Sequence, residues 1–406
     1  PTPRAPPYLT AAREPYTGCR RSATTVASSA AGGAPRPISH LHARSVFRGG
    51  CSVSRLKSEK VGSKHCSRGH LGSSSSGSSR DFAVRARRMV FAAGSAEEAH
   101  ATVSRYATLG GALYSGAVGL ATIAGAGYIS VCALAFVFQR KLQYFPTTER
   151  PPTVKRLPEV CSDIEEFSVR AEDGVLLQGW YWPAPPGGKH AKITLLQLHG
   201  NAGSRHNRLF WAHHVRTKLG CAVTLLDYRG YGGSEGSVTE AGMILDGKAG
   251  IQWAATRAGE TGSKLVLHLE SIGSAAGINA AGALRKESSP LTIHGIVAEG
   301  GLSSCVEIAA KLFAFLPIGL LMKDRWDGTC AAAASLDPAM PFMSMHGDKD
   351  EIVPLWCGRK LFDAVQGEEP KTKVWKEFKK GGHNNLMEKP GYFEALDDFY
   401  TNYVGA

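Results

Sequence analysis

Apolar positions along this 406-residue chain fall into three regimes. Residues 1–88 show no sustained periodicity, and Tyr106 to Gln139 holds no charged side chain over 34 positions. Beyond about residue 164, short continuous apolar runs alternate with longer stretches of helical period. The runs ITLLQL (193–198), AVTLLDY (222–228), KLVLHLE (264–270), IHGIVAE (293–299), PFMSMH (341–346) and KVWKEF (373–378) have strand length. The largely apolar character of the first five at that length fits strands covered on both faces. Helices are predicted near 204–218, 239–257, 273–284, 355–366 and 391–403. The segment 164–182 reads as a hairpin turning at Asp173-Gly174. Strand–helix alternation of this kind implies an α/β domain, a mostly parallel sheet with helices on both faces. Residues 303–335 break the alternation and are expected to form a short cap over the site.

The uncharged stretch changes the picture first. Its core, residues 113–138, exceeds the ~20 apolar residues that cross a bilayer. It is also longer than the ~7–15 residues of a cleaved signal's apolar region, and basic residues follow it, so a signal anchor is expected. A buried soluble helix is the alternative. Arg140, Lys141, Arg150, Lys155 and Arg156 follow the span, whereas Arg105 precedes it, which favours a cytosolic C-terminal domain. Arg85, Arg87 and Arg88 weaken that asymmetry if the leader is present.

Charge changes it next. The net +12 suggests nucleic acid or an acidic surface until it is divided along the chain. Residues 1–88 carry 16 Lys or Arg against three acids, leaving 31 basic and 32 acidic residues for the rest. The basicity belongs to the leader, no nucleic-acid-binding motif accompanies it, and no nucleic-acid partner is expected. Residues 1–88, rich in Ser, Arg and Gly, fit a disordered extension, a transit peptide, or sequence upstream of a start at Met89, and the leader segment as a whole is drawn over residues 1–105. Nine scattered cysteines with no CxxC pair read as reduced structural thiols. No HExxH or paired metal ligands occur, so neither metal nor cofactor is expected.

Candidate chemistry sits where apolar runs end. Ser271 follows run 264–270 and opens a predicted helix, the setting of a nucleophile elbow, in which a sharp turn lifts Oγ above the sheet. Glycine is usual two residues either side of such a serine; Gly273 is present, but Leu269 stands at the first position. That leucine must be accommodated by small residues after it, with Ser274, Ala275 and Gly277 as candidates. His199-Gly200-Asn201-Ala202-Gly203 places backbone amides at another strand's end, and the amides of Asn201 and Ile272 are the expected oxyanion donors. Asp350 in HGDKDEIVP is the expected orienting acid, with Asp348 competing, and His383 in GGHN is the expected base. Taken singly, Ser271 also fits a helix cap and His383 a surface loop. The Gly-rich DYRGYGGSEG (227–236) lacks a phosphate-loop pattern and reads as a structural loop bordering the pocket.

The order Ser, Asp, His is that of α/β-hydrolases rather than of chymotrypsin or subtilisin. Together with QRKLQYFP (139–146), LHGNAGSRHNR (198–208), LLDYRGYGGSEG (225–236), SIG (271–273), HGDKDEIVP (346–354) and GGHNN (381–385), it resembles the α/β-hydrolase superfamily. The closer resemblance, over about residues 113–403, is to single-pass membrane serine hydrolases of the α/β hydrolase domain-containing 13 and 17 type. It implies an α/β-hydrolase domain over 141–406 behind an anchor at 106–140, cleaving acyl esters or thioesters, or amides. Protein depalmitoylation is known among relatives of the 17 type. Leu269 departs from both types and keeps an inactive, hydrolase-fold binding module open; a serine peptidase-like activity is a further alternative. Substrate and oligomeric state are left open.

Overall fold

The computed structural model describes residues 95–405; the expectations for the leader before that lie outside the described residues. Helix α1 (Ala96–Gln143) contains the uncharged stretch and starts ten residues ahead of it. Ser95 caps it by accepting from the Glu98 amide, and Glu97 and Glu98 in its first turn oppose the positive helix end. At 48 residues it is about 72 Å long, and it is long and apolar enough to cross a membrane.

The remaining elements follow in chain order. They are β1 (Phe145–Pro146), β2 (Glu165–Arg170), β3 (Leu176–Trp182), β4 (Ile193–Leu198), β5 (Ala202–Gly203), α2 (Leu209–Leu219), β6 (Ala222–Leu226), α3 (Glu240–Thr261), β7 (Lys264–Glu270) and α4 (Ile272–Lys286). Then come β8 (Gly295–Glu299), α5 (Cys305–Leu312), α6 (Ile318–Leu321), α7 (Thr329–Ala334), β9 (Phe342–Gly347), α8 (Leu355–Ala364), β10 (Lys373–Phe378) and α9 (Tyr392–Phe399).

Eight strands form one sheet in the order β10-β9-β8-β7-β4-β6-β3-β2. It is parallel from β10 to β6; the β2–β3 hairpin joins it antiparallel, turning at Gly174 as its sequence indicates. Alternate residues of each central strand face opposite layers. Leu196, Leu198, Leu265, Leu267 and Leu269 join the core under α3 and α4, with Met243, Ala249, Ile251 and Ala276. Ile193, Leu195, Val266 and Val297 face the other layer, with Val215 and Leu219 of α2 and Leu396 and Phe399 of α9. Burial on both faces is why these strands read as continuous apolar runs.

The segment after α1 does something no periodicity announces. β1 pairs in parallel with β5, Phe145 opposite Ala202 and Pro146 opposite Gly203, so the apolar helix ends directly on the loop that follows β4.

Candidate active site

Four loops meet at the carboxyl ends of β4, β7, β9 and β10. Ser271 sits between β7 and α4 with φ 55° and ψ −121°, a positive-φ backbone that non-glycine residues rarely adopt. Such strain persists only where the surroundings enforce it, and it concentrates at functional sites. The surroundings here are specific. A Cβ at Gly273 would overlap the carbonyl oxygen of Leu198, so α4 comes this close to β4 only because residue 273 is glycine. The Ser274 hydroxyl donates to Ser271 O at 2.6 Å and its Oγ accepts from Leu302 N, tying the turn to the chain after β8.

Leu269, the departure from the usual elbow, is fully buried. Its methyls lie where a side chain on Gly277 would have to go, one turn into α4. Of the three candidates for accommodating it, Gly277 supplies the space, and the elbow is not opened.

The structure brings Ser271, His383 and Asp350 together. Ser271 Oγ lies 2.9 Å from His383 Nε2, and His383 Nδ1 lies 2.7 Å from Asp350 Oδ2. The Asp350 side chain is buried, and its Oδ1 accepts from the amides of Ile352 (2.9 Å) and Val353 (2.8 Å). The acid lobe is therefore held from both sides. Asp348 points elsewhere, accepting from Lys380 N at 2.6 Å, so it shapes the turn that delivers His383. Two residues of separation put one carboxylate on the ring and the other on the loop.

Electrostatics follow the same line. Burial disfavours a charged His383, but the hydrogen bond and charge of Asp350 outweigh it and raise the imidazole above its ordinary 6.5. Burial pushes the Asp350 carboxyl up, yet His383 and the two backbone amides hold it below its usual value. Glu270, next to the serine, is pushed up by burial and pulled down more strongly by Arg208, to about 2. Arg208 donates to Glu270 at 2.6 and 2.9 Å and to Ala202 O at 2.7 Å, so one guanidinium ties the elbow to the β4–β5 loop.

That loop carries Asn201. Its carbonyl accepts from Phe145 N and from the Tyr231 hydroxyl, each at 2.9 Å, and its side chain donates to Gln143 O. The Tyr228 hydroxyl donates to His199 O at 3.2 Å. A Cβ on Gly200 would lie 3.4 Å from Ser271 Cβ, which sets this loop against the serine. Ile272 opens α4, and amides of a helix's first turn have no intrahelical acceptor. Arg205 pairs with the buried Asp227 and with Gly232 O at 2.9 Å, fastening the Gly-rich loop beneath.

Sequence reasoning missed Glu270, Arg208, Tyr228, Tyr231 and Gln143 as supports of this site. Their hydroxyl, guanidinium and carbonyl contacts mostly join residues 29 to 62 positions apart and leave no local pattern. The only available signal was that all of them lie inside, or adjoin, the motifs that carry the family resemblance.

No protein-family model matches the chain. It is 31% identical over 224 residues to the uncharacterized protein YfhR of Salmonella typhi, covering 53% of this chain and 73% of the relative. It is 28% identical over 292 residues to the alpha/beta hydrolase domain-containing protein WAV2 of Arabidopsis thaliana, covering 67% and 90%. A Pyrococcus furiosus esterase structure superposes with a TM-score of 0.45 at 21% identity, covering 64% of this chain and all of the esterase. With the elbow turn, the parallel sheet and these sequence relatives in hand, the chain belongs to the α/β-hydrolase superfamily.

Proposed function

We propose that this chain is a membrane-anchored serine hydrolase that cleaves acyl esters or thioesters through an acyl-enzyme. The observation that carries the reading is the relay Ser271 Oγ–His383 Nε2–Asp350, at 2.9 and 2.7 Å, with the serine on a positive-φ turn. Asp350 accepting from Nδ1–H leaves Nε2 to accept the serine proton. Ser271 Oγ attacks the acyl carbonyl as its proton passes to His383. The Asn201 and Ile272 amides stabilise the oxyanion, and His383 returns the proton to the departing alcohol or thiol. Water then enters by the same route in reverse, freeing the acid and restoring the serine.

The inactive-module reading rested on Leu269. Its seating against Gly277, with Oγ still in reach of His383, supports the active reading. Within this proposal, residues 1–105 are a leader, 106–140 the anchor and 141–406 the catalytic domain. The basic cluster from Arg140 to Arg156 supports a cytosolic face for that domain.

A fluorophosphonate probe tests the assignment. Wild type is expected to take the label and Ser271→Ala to refuse it; equal labelling of both would sink the nucleophile.

The pH profile gives a second check. His383 must be neutral to accept the proton, and its raised pKa keeps it protonated further up the acidic range. kcat/KM on a water-soluble ester is thus expected to fall as pH drops through a midpoint above 6.5. Asp350→Asn removes the raising charge and leaves burial, so the residual activity should show a limb displaced to lower pH. A limb that stays in place would mean that Asp350 does not set the base.

A further inference from the structure

Between Lys311 and Lys323 the cap carries no charged residue. The run from Leu312 to Met322 also fails to bury itself: Leu312 and Phe315 are 65% exposed, Phe313 46% and Leu320 86%. A soluble domain rarely leaves so many large apolar side chains together in water.

Their location says what covers them. The Arg140 guanidinium donates to Asp324 at 2.7 and 3.2 Å, and Gln143 donates to Asp324 O at 3.1 Å. Gln139 donates to Leu321 O and accepts from Lys323 N, and Lys323 Nζ sits 4.0 Å from the Phe136 ring centre. Farther back along α1, the Tyr128 hydroxyl donates to Phe315 O at 2.9 Å. The cap therefore follows α1 from its charged end toward its apolar middle. From residue 140 back to 128 is about 18 Å of helix, against ~30 Å for a whole hydrocarbon core. Arg140 pairs with Asp324 next to Lys323, and the exposed apolar run reaches farther along α1 to Tyr128, the layering of a headgroup region over acyl chains.

Much of the tip's backbone is paired, as suits a setting where unpaired amides are costly. Phe313 N bonds Ala309 O, Leu316 N bonds Phe313 O, Leu320 N bonds Pro317 O and Met322 N bonds Ile318 O, at 2.8–2.9 Å. Phe315 O, facing α1, is the carbonyl that Tyr128 satisfies.

We infer that the cap tip, residues 312–322, is embedded in the leaflet on the Arg140 side of the span. The inference rests on reading α1 as a membrane span and deepens the proposed function. The chain passes Gly300, where a Cβ would lie 3.1 Å from His383 Cε1, and reaches Leu312 a dozen residues later. One segment thus links the histidine to acyl chains, which points to a lipid-borne acyl ester or thioester as substrate.

Trypsin cuts at Lys311 and Lys323 and releases the tip as one peptide, which makes the test direct. The full chain is reconstituted in phosphatidylcholine vesicles containing a phosphatidylcholine with a diazirine in its acyl chain, irradiated, digested and mapped. Adducts are expected on peptide 312–323 and on the span peptide 106–140, roughly tenfold above the sheet-side peptide 249–257, since lipid-facing side chains lie among the reacting acyl chains. A span peptide with adducts beside an unmodified 312–323 would overturn the inference. So would a span peptide that stays unlabelled, or a 312–323 peptide cross-linked to a second copy of the chain. Fluorophosphonate labelling of the same vesicles reports on Ser271 separately, so loss of the hydrolase reading would not be mistaken for loss of the lipid contact.

Discussion

Replacing His383 with alanine is expected to lower kcat by on the order of 10⁶-fold, as little as Ser271→Ala leaves, and the double variant is expected to be no slower than either. The reason is geometric. A serine hydroxyl is a weak nucleophile without a base, and the imidazole bonded to Ser271 Oγ is that of His383. His346 is spoken for: its Nε2 donates to Val353 O at 2.8 Å inside the β9 turn. His199 is buried and held within its own loop, with Nδ1 at 2.7 Å from Gly200 O. Once base or nucleophile is gone, the survivor has nothing to act with, and the rate that remains belongs to the oxyanion amides and to binding. Asp350→Asn should cost less, about 10⁴-fold, because the ring is left in place with the wrong tautomer. Hydrolysis of an activated ester under saturating substrate measures all four variants. Losses that multiply in the double variant would show that Ser271 and His383 do not act as a unit.

Gly277→Ala is expected to destabilise the domain by about 1–3 kcal/mol, the usual cost of forcing a methyl into a filled core. The added Cβ would meet both methyls of Leu269, and Leu269 is fully buried. Pressure on Leu269 is pressure on the elbow, since Ser271 is two residues on in the same strand-to-helix turn. Stability and fluorophosphonate labelling are therefore expected to fall together. Leu269→Ala in the Gly277→Ala background should restore both in large part, with a coupling of about 0.5–3 kcal/mol between the two positions. Thermal unfolding and labelling rate of the four proteins complete the cycle. Additive effects would mean that leucine at 269 and glycine at 277 are not a matched pair. A matched pair is the physical account of how this chain departs from the usual small residue before the serine and keeps the turn.

Much of this was readable along the chain. β4, β7 and β10 occupy the same residues as the apolar runs 193–198, 264–270 and 373–378. The apolarity of β4 and β7 is near-continuous because both of their faces are covered, which makes such a strand legible without knowledge of its neighbours; β10, at the sheet edge, is half-buried and carries three charged residues. Asp173-Gly174 placed the hairpin because a turn with positive φ favours glycine. The helix edges were less legible. α1 begins at Ala96, ahead of the uncharged stretch, because Ser95 and two glutamates start a helix on capping grounds that hydropathy does not register. The two-residue pairing of β1 with β5 is too short for any periodicity to signal.

Sequence by itself determined what depends on neighbours in the chain. That includes the strands, the uncharged span, the basic leader, and the order in which Ser271, Asp350 and His383 occur. Tertiary structure alone decided what depends on distance between remote residues. It chose Asp350 over Asp348 by aiming one carboxylate at Nδ1 and the other at Lys380 N. It paired Leu269 with Gly277, bound Arg208 across two loops, and set the cap tip alongside the span. Periodicity reports which face of an element is apolar; which remote atom that face meets is fixed only when the sheet closes and the loops at its carboxyl end are pulled together.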